Sequence, residues 1–90
     1  MSEVNDNRAE HRYELVEDSE MAFAAYELAG DTITFTHTIV PEAIGGRGVG
    51  SRLVAAALAN VRQRGLKVVP RCAFVAAYVA KHPEWRELLV

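Results

Sequence analysis

Ninety residues, half of them apolar and with a formal net charge of −2, make one small domain and leave no length for a second. The positive residues are interspersed with acids rather than gathered into a basic stripe, which argues against a nucleic-acid partner. No apolar run is long enough to span a bilayer, Met1-Ser2-Glu3-Val4-Asn5-Asp6-Asn7 lacks the basic and apolar parts of a signal peptide, and one cysteine cannot form an internal disulfide; the expected location is the cytoplasm.

In chain order, residues 1–10 are polar and unpatterned and read as a flexible tail, with a single domain over 11–90. His11 to Glu17 alternate enough, through Tyr13 and Leu15, to make a first strand. Asp18-Ser19-Glu20 is a turn, Met21 to Leu28 a second strand, and Ala29-Gly30-Asp31 a second turn. Thr32 to Val40 is the clearest period-two segment. It places Thr32, Thr34, Thr36 and Thr38 on one face and Ile33, Phe35, His37 and Ile39 on the other. Three strands joined by short turns predict an antiparallel meander.

The next stretch, Val40-Pro41-Glu42-Ala43-Ile44-Gly45-Gly46-Arg47-Gly48-Val49-Gly50-Ser51-Arg52-Leu53, is a strand end that breaks into a glycine-rich turn and opens a helix. Without Cβ atoms the turn can take left-handed dihedrals and let a ligand close to the backbone. Amides from Arg47 to Gly50 would then lie at a helix N-terminus, where unpaired donors and the helix dipole suit a phosphate or pyrophosphate, with Arg47 and Arg52 adding charge. A plain structural turn is the alternative reading. A P-loop is excluded because Gly50 is followed by Ser51-Arg52 and not by Lys and Ser or Thr; the dinucleotide fingerprint is excluded by its glycine spacing.

From Gly48 to Arg64 the period becomes helical, with Val49, Leu53, Ala56, Ala57 and Val61 in one stripe, and Gly65 ends the helix. Lys67 to Pro70 is a short strand. A right-handed crossover of this length lays it parallel to the third strand, so the sheet is mixed. Cys72 to Lys81 reads as a second helix, which His82-Pro83-Glu84 interrupts before Trp85, Leu88 and Leu89.

Three side chains offer chemistry beyond packing. Cys72, after Val68-Val69-Pro70-Arg71, falls near a helix N-terminus where the dipole and Arg71 favour a thiolate; it also suits a small buried hydrophobe. His37 interrupts an apolar strand face and reads either as a core histidine or as a base poised near neutral pH. Tyr78 reads as a packing aromatic or a proton donor. His11 and His82 lack matching ligands, so no metal is proposed.

Taken together, His37-Thr38-Ile39-Val40-Pro41, Gly46-Arg47-Gly48-Val49-Gly50-Ser51-Arg52-Leu53, Pro70-Arg71-Cys72-Ala73-Phe74-Val75 and His82-Pro83-Glu84-Trp85 resemble, in that order, the GNAT superfamily of N-acetyltransferases, in particular its short single-domain Yjdj-type members. The likeness runs from about Tyr13 to Trp85. It implies an α+β fold of the three-layer GNAT kind: an antiparallel meander continued by a strand–helix–strand unit into a mixed sheet, with helices packed on it. It also implies acetyl-coenzyme A as co-substrate. The pyrophosphate would rest on the amides from Arg47 to Ser51, the pantetheine arm would run along the strand edge near Ile39 and Val40, and the thioester would reach Cys72. Gly45 departs from the superfamily pattern, which usually carries Arg or Gln there.

Under the resemblance an amine acceptor is acetylated either directly, with His37 as base and Tyr78 assisting the departing thiolate, or through an acetylated Cys72. The other reading keeps the fold and drops catalysis, leaving a coenzyme A-binding or interaction module. The acceptor is open, and a monomer or weak homodimer is expected.

Overall fold

A computed structural model describes residues 3–90. Five strands form one sheet in the order β1-β2-β3-β4-β5: β1 Val4–Asn7, β2 Arg12–Glu17, β3 Glu20–Ala29, β4 Thr32–Ile39 and β5 Lys67–Pro70. The first four pair antiparallel, and β5 lies parallel to β4. Helix α1 (Val49–Gln63) crosses over from β4 to β5, α2 (Ala73–Lys81) follows β5, and a 3-10 segment, Pro83–Leu88, closes the chain. The mixed sheet with helices packed on it is the α+β architecture expected from the element order.

The core follows from alternation. Tyr13 and Leu15 of β2, Ala22, Ala24 and Tyr26 of β3, and Ile33 and Phe35 of β4 form an inward row, all buried. Against it α1 lays Val49, Leu53, Val54, Ala57, Leu58 and Val61 at helical spacing, and α2 adds Val75 and Val79 to the same cluster. Each fully buried Leu or Val contributes about 1.5–3 kcal/mol of transfer free energy. Gly65, at φ 71, ends α1 in the left-handed conformation that a side chain would resist.

Two departures from the sequence reading shape the site. Val4–Asn7 falls inside the stretch read as a tail, yet it pairs with β2 as an edge strand, while residues 1 and 2 lie outside the described residues. Its anchors are polar, which is why it carries no apolar pattern. The Tyr26 hydroxyl donates to Asp6 at 2.6 Å, Arg64 reaches the other Asp6 oxygen at 3.2 Å, and Asn7 donates to Glu14 at 2.9 Å.

The second departure is a bulge. Ala25 faces His37 while Tyr26 faces Phe35, so Thr36 is passed over in the pairing of β3 with β4. One extra residue reverses the alternation beyond it. Ile33 and Phe35 point into the core as expected, but His37 and Ile39 share the outward face with Ala25 and Phe23, and Thr38 turns inward opposite Ala24. That outward face is exposed: Val16, Met21 and Ile39 lie on it, and the Arg12 guanidinium covers the Phe23 ring at 4.8 Å.

Candidate active site

The pairing of β4 with β5 runs from Thr32↔Lys67 to Phe35↔Pro70 and stops. After Pro70 the chain turns, with Arg71 N–H on the Val69 carbonyl, and Cys72 N–H donates to the Phe35 carbonyl at 2.8 Å. Beyond that bond β4 continues to Ile39 while the other strand has become a helix. The result is a gap whose β4 side is an unpaired strand edge from Thr36 onward, the kind of edge that an extended amide-bearing chain can join.

At the mouth of this gap sits the glycine loop. A 3-10 turn, Glu42–Ile44, is anchored by fully buried Ile44. Gly46 at φ 77 and Gly48 at φ 74 then occupy the left-handed region, and Gly48 is the N-cap of α1 with no side-chain cap. The first backbone bond of the helix is Arg52 N–H to the Gly48 carbonyl at 3.0 Å, so the amides of Val49, Gly50 and Ser51 precede the ladder at its positive end. They face a cavity of about 290 Å³ walled by Val40, Ile44, the loop glycines and Phe74. Gly50 has a second reason to lack a side chain: a Cβ there would fall 2.6 Å from the Phe74 ring.

The loop arginines, expected to add charge for an anion, have acidic partners. Arg47 binds Glu17 at 3.3 Å and also Asp18, and Arg52 binds Glu17 at 2.6 Å and Glu3 at 2.8 Å. These contacts fasten the β2–β3 turn beside the loop. Arg52, hydrogen-bonded to it, holds the Glu17 carboxyl below its ordinary range. The donors at the loop without acidic partners are therefore the main-chain amides at the start of α1.

Cys72, the N-cap residue of α2, is 5% exposed, and its sulfur lies 3.3 Å from the Thr38 hydroxyl. Thr38 escapes the sequence reading because its place in an all-threonine row gives no sign that the bulge turns it toward the cysteine. His37 lies on the outward face, exposed, with its ring edge-on to Phe23. Its tautomer follows from its neighbours. The Thr36 hydroxyl donates to the Ala25 carbonyl at 3.3 Å and lies 3.2 Å from His37 Nδ1. With the hydroxyl proton spent on that carbonyl, Nδ1 is the donor to Oγ1, and Nε2 of the neutral ring is left as the basic nitrogen.

Tyr78 lies on α2. Its ring stacks on His82 at 4.0 Å and lines a second cavity with Ser51 and Phe74, a cavity whose walls include neither Thr38 nor Cys72. Thus Cys72 and His37 flank the same strand from opposite faces, Ile39 and Val40 mark its edge, and the glycine loop from Gly46 to Ser51 lies at its end. Among the described residues no group of three His, Cys, Asp or Glu side chains is placed to hold a metal.

Residues 12–88 match the family model described as GCN5-related N-acetyltransferase. Protein NATD1 of Xenopus tropicalis is 36% identical over 63 residues, covering 69% of this chain and 58% of that protein. Protein NATD1 of Homo sapiens is 38% identical over 63 residues, covering 69% and 56%. The chain thus spans somewhat over half the length of these curated relatives. The solution structure of a GCN5-like protein from Staphylococcus aureus superposes with a TM-score of 0.75 at 24% identity, over 99% of this chain and 88% of that one; at that identity the likeness concerns the fold.

Proposed function

Because this chain belongs to the GCN5-related N-acetyltransferase family, we propose that it moves an acetyl group from acetyl-coenzyme A to an amine by direct transfer. The observation that carries this reading is the β4 edge, freed from β5 after Phe35, with the uncapped N-terminus of α1 at its mouth. The diphosphate takes the amides from Arg47 to Ser51. The pantetheine amides pair with the edge near Ile39 and Val40, and the thioester comes to rest in the gap beside Thr38 and Cys72.

The acceptor approaches from the exposed outward face. His37 Nε2 removes a proton from the ammonium or the attacking amine, nitrogen adds to the thioester carbonyl, and the carbon–sulfur bond breaks. Coenzyme A leaves as a thiolate and takes its proton from the histidinium or water. Cys72 packs at the site through sulfur and Thr38, and its 5% exposure favours this role over an acetyl relay.

Release of free thiol from acetyl-coenzyme A with a panel of amines tests the reading. Turnover above the blank is expected, falling about 100-fold or more in His37→Ala and only modestly in Cys72→Ala. Binding of acetyl-coenzyme A without turnover, unchanged by either substitution, would mean a carrier-binding module instead. Acetylated Cys72 seen by mass spectrometry within a turnover would replace direct transfer with the relay.

A further inference from the structure

We propose, building on the transfer reading above, that the acceptor is an amphipathic primary amine. Its ammonium end is received between His37 and Glu27, and its aliphatic tail lies on an apolar strip that Ile39, Phe23, Met21 and Val16 make across the outward face of the sheet. The strand register draws this strip. Arg12, Ala25 and His37 stand in one row across β2, β3 and β4, Glu14, Phe23 and Ile39 in the next, and Val16 and Met21 in the one after. With strands about 4.8 Å apart and alternate residues about 7 Å apart along each, Ile39 and Val16 are separated by about 12 Å on the diagonal. An octyl chain covers that span.

Both helices pack on the inward row, so neither covers the strip. Ile39 is 47% exposed, Val16 60% and Met21 38%, and a run of apolar side chains left in water marks a binding surface. The strip is continuous with the reaction site. Ile39 belongs to the part of β4 beyond its last pair with β5, and the His37 ring stands edge-on to Phe23 with centroids 5.9 Å apart. A group carried by the nitrogen that attacks beside His37 is therefore laid over Ile39 and Phe23.

Charge orients the occupant. Along the strip the charged side chains are already matched: Arg12 binds Glu14 at 2.6 Å, with its guanidinium over the Phe23 ring, and Glu14 also accepts from Asn7. On the other side of the Ala25–His37 pair, Glu27 faces outward, exposed, and has no ionic partner among the described residues. A free carboxylate at one end, an apolar strip at the other and the basic Nε2 between them fit a cationic head with an apolar tail. A polyamine would instead lay a second ammonium on apolar surface and lose hydration there. The product is the N-alkyl acetamide; of the two protons the ammonium gives up, one goes to the departing thiolate and one to solvent.

Straight-chain primary amines from ethylamine to octylamine, with spermidine as the polycationic comparison, test this by release of free thiol from acetyl-coenzyme A. The alkylamines share nearly the same basicity and nucleophilicity, so chain length reports contact with the protein. The wild type is expected to gain about twofold in kcat/KM per methylene, as half-burial on an open face gives, and to prefer octylamine to spermidine. Val16→Thr/Met21→Gln, at exposed positions that leave the inward row intact, should end the rise short of octylamine. Glu27→Gln should raise KM about threefold for every alkylamine and keep the gain per methylene. Turnover indifferent to chain length, a rise that continues to octylamine in the double variant, a KM unmoved by Glu27→Gln, or spermidine as the preferred acceptor overturns this assignment and leaves acetyl transfer standing. If acetyl-coenzyme A binds and no amine releases thiol, the transfer reading falls and this proposal with it.

Discussion

At the scale of single residues, Gly48 and Gly50 lack side chains for different reasons. Gly48 needs its φ of 74, which costs about 1–2 kcal/mol for a residue with a Cβ. Gly50 is ordinary helix; a methyl there would meet the Phe74 ring 2.6 Å away. That ring is the far end of a half-exposed side chain and can swing aside, while alanine is preferred to glycine in a helix by about 1 kcal/mol. Gly50→Ala is therefore expected to change stability by less than about 1 kcal/mol and yet weaken coenzyme A binding, because the displaced ring enters the walls of both cavities. Thermal unfolding, the Phe74 ring resonances and a binding titration separate the two effects; unchanged affinity with a displaced ring would contradict it. His37 and Cys72 teach a related point. Each was legible as a residue type with chemistry, but which face each takes depends on a bulge and a helix cap formed by other residues.

At the scale of elements, the lesson concerns what leaves a trace in composition. β2 and the first half of β4 were legible because a buried row must be apolar, and α1 was legible because Gly48 and Gly65 bracket an amphipathic stripe. β1 was not, because Asp6 and Asn7 hold it through hydrogen bonds and an ion pair instead of burial. Nor was the bulge, since Thr36 sits in a row of threonines and nothing in the sequence marks it as the residue left unpaired. The anchoring of β1 is testable. Tyr26→Phe removes the donor to Asp6 and should cost about 0.5–1.5 kcal/mol, with faster hydrogen exchange in β1 and little change at the centre of β3. Burial first, then the Asp6 hydrogen bond, raises the Tyr26 hydroxyl above its ordinary 10.0. The folded state thus holds that proton more tightly than the unfolded chain, so this contribution is intact below pH 10 and is lost as the pH rises further. Tyr26→Phe should accordingly lose less stability than the wild type between neutral and strongly alkaline pH. A β1 that exchanges at the same rate in both proteins would show that the strand is held by something else.

At the scale of the whole molecule, one sheet is used asymmetrically. Its inward row and both helices build a single core, and the helix ends converge on the place where β4 and β5 part. The outward face carries His37 beside exposed Ile39. On the proposed reading, a chain of ninety residues divides its labour: main-chain donors for the diphosphate, a strand edge for the arm, and an imidazole on the outward face for the proton. The claim on which all of this depends is that free backbone amides at the start of α1 grip the carrier. Titration of isotope-labelled protein with coenzyme A, followed amide by amide, tests it most directly. The account predicts large shifts from Arg47 to Ser51, with a second set from Thr36 to Val40 along the β4 edge. A folded protein whose Arg47–Ser51 amides stay unmoved at saturating coenzyme A would contradict it.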